Sequence, residues 1–272
     1  KFKRCIVHFC VDKHKISMTT RLSGRKTFFL PYNRDIENPP VKKGYRTKYL
    51  WEEILTPDSI LDILQNFVHL SNEKEYFFNE KTQKIDIKES EKLIFPRYHQ
   101  LNLIKKFRSQ IKKDGVGNNY LVQHTTGSGK SYSIGWLSHT LTSLYQKDGD
   151  KKRMFDSIIV VTDRKVLDNQ LQKTIDDLKK NKGVVHGVQK GGKELRGFLE
   201  LQKDIIISTI QKFPQISDTI SSLGNKRFAV IIDEVHSSQS GQLSKELKKS
   251  LSKEDDEDGF DFEDMIREEI KN

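Results

Sequence analysis

Residues Tyr120-Leu-Val-Gln-His-Thr-Thr-Gly-Ser-Gly-Lys-Ser131 constrain the fold of this chain more than any other stretch. A short apolar run gives way to a glycine-containing loop, which ends in Gly129-Lys130-Ser131 at the head of a helical segment, Tyr132 to Tyr145. Strand, loop and helix in that order make a phosphate-binding loop. Backbone N–H groups and the positive end of the helix dipole suit a β-phosphate, Lys130 reaches the β/γ oxygens, and the Ser131 hydroxyl can ligate Mg²⁺. Thr126, Gly127, Ser128 and Gly129 form the cradle. The common G-x-x-x-x-G-K-[ST] spacing is broken at its first glycine, where His124 stands. A Gly/Ser turn that merely precedes a lysine is the plain alternative.

The pattern around the loop argues for a layered α/β architecture. Leu101, Ile104, Phe107 and Ile111 lie on one face of a helix, and Leu167, Leu171, Ile175 and Leu178 do the same within Arg164 to Lys180. Ser157–Thr162, Asp204–Thr209 and Phe228–Asp233 are β-branched runs without alternation, as in strands buried on both faces. The expected fold is a doubly wound parallel sheet with ligands at the carboxyl ends of its strands. A smaller mixed α/β segment precedes it. There, Cys5–Val11, Ile16–Thr20 and Thr27–Leu30 read as strands, and residues 33–44 as a loop. Thr56-Pro57-Asp58 starts a helix with Ile60, Leu64, Phe67 and Val68 on one face, and the polar run 72–90 is a loop or hairpin. The boundaries are 1–90 for this segment, 91–251 for the lobe and 252–272 for an acidic, solvated end.

Charge is divided unevenly along the chain. The net charge is +10, but residues 252–272 hold three basic and ten acidic residues, which leaves about +17 on the remainder. Such a body suits a polyanion such as nucleic acid, and equally a lysine-rich soluble surface. Cys5 and Cys10, five apart in one strand, point to opposite faces and do not suggest a disulfide, which fits a reducing cytoplasm. No apolar run approaches the ~18 residues of a membrane span, and the basic start lacks the apolar core of a signal peptide. The absent initiator methionine suggests a fragment.

Asp233-Glu234-Val235-His236 ends one of the apolar runs. A strand-end acid pair alone also fits a helix N-cap. Beside a phosphate loop it fits NTP hydrolysis, with Asp233 holding Mg²⁺ through its water shell and Glu234 deprotonating the attacking water. With these two elements go Phe95-Pro-Arg-Tyr-His-Gln100, Val161-Thr-Asp-Arg-Lys-Val-Leu-Asp-Asn-Gln-Leu171, Ser208-Thr-Ile-Gln-Lys-Phe213 and Ile232-Asp-Glu-Val-His-Ser-Ser-Gln-Ser-Gly241. Together they resemble superfamily 2 helicase-like motors, and more closely the restriction subunit of type I restriction-modification enzymes. Met18–Pro31 and Gly44–Glu53 are similar to that family's segment joining nuclease to motor.

The resemblance implies an ATP- and Mg²⁺-dependent DNA translocase that acts before cleavage, beside methyltransferase and specificity subunits, in the cytoplasm. It implies that Gln100 reads the adenine edge, with Arg97 and Tyr98 near the base. Arg164, Ser208, Thr209 and Gln211 would contact the nucleic-acid backbone, a role their guanidinium, hydroxyl and amide groups suit, and His236 would link the ATP site to neighbouring motifs. The family's second lobe, with its arginine finger, is not found in this sequence, so these residues alone are expected to turn over little ATP. Pro57-Asp58 with Asp86-Ile-Lys88 formally fits a nuclease pattern, but Pro57-Asp58 opens a helix, whereas a metal-binding carboxylate pair needs converging strand ends. The competing readings are another superfamily 2 motor acting on DNA or RNA, and a non-catalytic DNA-binding or docking segment.

Overall fold

The computed structural model describes residues 5–79, 84–146, 152–162, 165–178, 183–212 and 226–233. The chain divides into two compact units. One comprises Lys1–Asp114, Tyr120–Thr140 and Asp177–Lys180; the other comprises Gly115–Asn119, Leu141–Asp176 and Asn181–Asn272.

The first unit opens with an antiparallel sheet of β1 (His8–Val11), β2 (Ile16–Thr19) and β3 (Leu30–Pro31) in that order. The Asp12 carboxylate accepts the N–H groups of His14 and Lys15 at 2.6 and 2.7 Å, which makes the β1–β2 turn. The strand expected over Thr27–Leu30 shortens to two residues. A 3₁₀ turn at Gly24–Lys26 draws the Thr27 hydroxyl back to the Gly24 carbonyl at 2.8 Å, and so keeps Thr27 out of the ladder. Helix α1 (Pro57–Asn66) starts after Thr56, as its proline at N1 predicts. Its buried stripe is Ser59, Ile63 and, just past the end, Phe67, whereas Leu64 is 42% exposed. The stripe is turned by one residue from expectation because Phe67 packs on Trp136, with ring centroids 5.7 Å apart.

The polar run resolves as a hairpin. β4 (His69–Asn79) and β5 (Lys84–Ile94) pair antiparallel in continuous register from His69↔Ile94 to Asn79↔Lys84. The chain then enters α2 (Tyr98–Asp114), which buries Leu101, Ile104 and Ile111 as its periodicity predicted. α3 (Lys130–Thr142) follows the glycine loop. Side-chain bonds fasten α1 to both helices. Arg108 donates to the two oxygens of Asp62 at 3.0 Å each, Lys105 Nζ lies 2.8 Å from Ser59 Oγ, and the Trp136 indole N–H donates to the Phe67 carbonyl at 3.1 Å.

The second unit is built on β6 (Ser157–Thr162), β7 (Val185–Gly187), β8 (Ile205–Thr209) and β9 (Phe228–Ile232), all parallel, in the order β7-β8-β6-β9. Helix α4 (Lys165–Asp177) connects β6 to β7 and α5 (Gly192–Glu200) connects β7 to β8; β7 and α5 were not anticipated. The central strands are buried throughout, as their unbroken apolar runs demand, while the edge strand β9 is half-buried. Ile159, Val161, Leu195, Leu199 and Ile206 make the core between sheet and helix. Together the units give a mixed α/β chain with a four-stranded parallel sheet. One expected strand is missing, since Tyr120–His124 lies in none of the sheets among the described residues. Tyr120 and Val122 are 37% and 39% exposed, and a run so lightly covered gains little from ordering as a strand. No helix among the described residues is long and apolar enough to cross a membrane.

Candidate nucleotide site

The glycine loop takes its shape from two left-handed residues. Ser128 N–H donates to the Thr125 carbonyl at 3.2 Å and closes a turn, with Gly127 at its third position and a φ of +77°, as a type II turn requires. Gly129, with φ +84°, then ends the loop, and its carbonyl accepts the Tyr132 and Ser133 N–H groups at 3.1 and 3.3 Å, so that α3 starts at Lys130. The expected helix thus begins two residues early and brings Lys130 and Ser131 onto its first turn. Thr126 and Gly127 are exposed, Lys130 and Ser131 half-buried.

The opening turn of α2 holds this loop. Gln100, 3% exposed, donates from Nε2 to the carbonyl oxygens of Gly129 (3.0 Å) and Ser128 (3.4 Å), and its Oε1 accepts the Arg97 N–H at 2.9 Å. His99 Nε2 lies 3.0 Å from the same Ser128 carbonyl, and the His124 ring stands edge-on to His99, with centroids 5.1 Å apart and planes at 88°. Burial, and then the Arg97 and His124 charges, push the His99 pKa down despite its bond to Ser128; burial and then Lys130 push His124 down. Both rings are therefore neutral near pH 7. A Cβ on Gly129 would lie 2.6 Å from Gln100 Nε2, so the contact admits only glycine.

Tyr98 faces the other way. Its ring packs on Tyr49 (5.2 Å) and Tyr32 (6.0 Å), in a cluster that also holds Phe9 and Phe95. One helical turn thus joins the N-terminal segment to the loop: Tyr98 packs into the segment, while His99 and Gln100 bind the loop. The sequence reading missed His99 and His124 as loop contacts, although His124 had already marked itself by occupying a glycine position.

In the sheet unit, the carboxyl ends of β6, β8 and β9 share one register. Thr162 lies opposite Thr209, Val161 opposite Ser208 and Ile232, and the Asp233 N–H donates to the Val161 carbonyl at 2.9 Å. Ser208 and Thr209 are enclosed within β8, and the Ser208 hydroxyl bonds to the Thr209 carbonyl; Gln211, on the 3₁₀ turn that follows, is exposed. The Thr162 hydroxyl is buried without a partner among the described residues. Arg164, Glu234 and His236 lie outside the described residues.

Residues 99–255 match the SWI2/SNF2 ATPase family model. The chain belongs to the SWI2/SNF2 ATPase family. Among curated proteins, this SWI2/SNF2 chain is 31% identical over 137 residues to the type I restriction enzyme SauCOLORF180P endonuclease subunit of Staphylococcus aureus strain COL. It is equally similar to the SauMSSORF170P subunit of strain MSSA476. Each match covers 49% of this chain and 14% of the relative's length. The likeness to type I restriction subunits read from the motifs is borne out, and with it a helicase-like ATPase.

Proposed function

We propose that the chain supplies the first ATPase lobe of the DNA translocase in a type I restriction subunit. The observation that carries this reading is the phosphate loop, whose two left-handed glycines, helix start at Lys130 and braced carbonyls lie within the region of the ATPase match. Its residues fit ATP with Mg²⁺: a trans peptide directs C=O and N–H oppositely, so carbonyls tied to α2 aim the Gly129 and Lys130 N–H groups away from Gln100. Lys130 would neutralise β/γ oxygens, and Ser131 and Asp233 are the residues that would hold the metal. The bound Mg²⁺ supplies charge neutralisation at the phosphates. Glu234 takes the proton from the attacking water.

Gln100 has one Oε1 lone pair beyond its bond to Arg97 and turns it to the adenine edge. Arg97, whose Nε is buried without a partner among the described residues, lies near the base, and Tyr98 fixes the turn that carries both. Gln211 and Arg164 contact the DNA backbone, with Ser208 and Thr209 setting the direction in which Gln211 leaves the sheet. The lobe, a doubly wound RecA-like sheet, spans 91–251, with 1–90 as the joining segment and 252–272 as its acidic end. Its partners are duplex DNA and the methyltransferase and specificity subunits, and its place is the cytoplasm.

The test is ATP hydrolysis by this segment within a full-length restriction subunit, with and without duplex DNA. Unrelated duplexes should stimulate turnover alike, with an effect that falls steeply with salt. Glu234→Gln should retain Mg-ATP but stop turnover. Wild-type turnover by that variant would remove Glu234 as the base, and no response to DNA would overturn the motor reading.

A further inference from the structure

Resting on that nucleotide-binding reading, we infer that His99, braced by His124, is a positioning residue that holds the Ser128–Gly129 peptide in its nucleotide-binding orientation. Gly127 and Gly129 both sit at positive φ on either side of Ser128. Glycine rotates about its backbone at little steric cost, so the loop peptides would otherwise sample several orientations. In a trans peptide, the group that holds the Ser128 carbonyl also fixes the direction of the Gly129 N–H. Besides the backbone N–H groups of α3 on Gly129, two side chains reach the two adjacent carbonyls. Gln100 bonds best to Gly129 at 3.0 Å and reaches Ser128 only at 3.4 Å, whereas His99 Nε2 lies 3.0 Å from Ser128.

A carbonyl only accepts, so the proton of neutral His99 is on Nε2. The ring plane that aims this proton is set by His124, whose edge-to-face contact at 5.1 Å suits two uncharged rings. The charged groups facing the pair are Arg97 and Lys130, both cations, which keep it neutral together with its burial. The residue that breaks the common glycine pattern is therefore the brace for the residue that sets the loop.

The experiment measures equilibrium Mg-ATP affinity and thermal unfolding of the chain and its variants. His99→Phe keeps a ring but loses the donor, and should weaken binding about three- to tenfold, the span of one hydrogen bond, with an unchanged melting curve. His99→Gln puts an N–H near the Nε2 position and should recover most of that loss. His124→Gly, which restores the common pattern, should weaken binding about twofold, by loss of part of a ring contact, rather than tighten it. Wild-type affinity in His99→Phe, no recovery in His99→Gln, or undiminished binding in His124→Gly would overturn the inference. Should His99→Phe fail to fold, ¹⁵N NMR of wild-type His99 decides: a proton on Nε2 supports the assignment and one on Nδ1 overturns it. Lys130→Ala separates the two levels. If that variant loses nothing the nucleotide site itself is wrong, whereas loss at Lys130 with indifference at His99 removes only the present inference.

Discussion

Gly129 in the phosphate loop and Gly187 at the edge of the parallel sheet each face a glutamine side chain, and the two contacts do different work. An added Cβ would come within 2.6 Å of Gln100 Nε2 at Gly129 and within 2.2 Å of Gln172 Oε1 at Gly187. Gln100 is buried and bonded at both ends of its amide, so it has nowhere to go. Gln172 is a half-buried helical residue that meets the added atom with the far end of its side chain, and Gly187 has no positive φ. The loop is held by directional polar contacts around unusual backbone; the sheet is held by apolar burial that tolerates local change. By the distance of an added Cβ alone, Gly187 would rank as the tighter of the two.

The largest effect should therefore come from the looser-looking contact. Gly129→Ala must hold a left-handed Ala, at a cost of about 1–2 kcal/mol, and must also displace Gln100. It should lower stability in urea unfolding and abolish measurable Mg-ATP binding. Gly187→Ala should leave both within about 0.5 kcal/mol, because the smaller conformational entropy of unfolded Ala offsets the movement of Gln172. Equal effects at the two positions would break the distinction.

A smaller effect belongs to the polar fastening of α1 to α2. Burial pushes the Asp62 carboxyl up, but hydrogen bonds from Arg108 and Asn66 and the charges of Arg108 and Lys105 outweigh it and leave its pKa below the usual carboxylate value. A depressed folded pKa contributes stability above the unfolded value and loses it as pH falls through the folded one. Asp62→Asn should cost about 0.5–1 kcal/mol near pH 7, a modest figure because Arg108 is partly exposed, and the gap from wild type should close as pH drops below the carboxylate range. A gap that persists in acid would point to shape rather than charge.

Much of this was legible in the sequence because periodicity reports burial. The run Ser157–Thr162 is a strand as read, Phe228–Asp233 is one up to Ile232, and of the stripe Leu101, Ile104, Phe107 and Ile111 all but Phe107 are buried in α2. β7 escaped notice because three residues carry no period. The α1 stripe was misplaced by one residue because Trp136, remote in sequence, decides where Phe67 sits. In the site, Gln100, Ser128 and Gly129 were named in advance and are brought together. Tyr98 was named for the base, yet it packs on Tyr32 and Tyr49, since an aromatic side chain's partner cannot be read from its own position.

Binding of Mg-ATP to the 272-residue chain, wild type beside Lys130→Ala, bears most directly on whether the loop that starts α3 is a nucleotide site. Lys130 supplies charge to the phosphates rather than packing, so its removal should weaken affinity by at least about tenfold, the scale of one charge-assisted contact, with an unchanged unfolding midpoint. Saturable binding by wild type that Lys130→Ala loses is the predicted result. Equal affinity of the two proteins, or loss of binding only together with loss of folding, would contradict the assignment of the loop as the phosphate cradle.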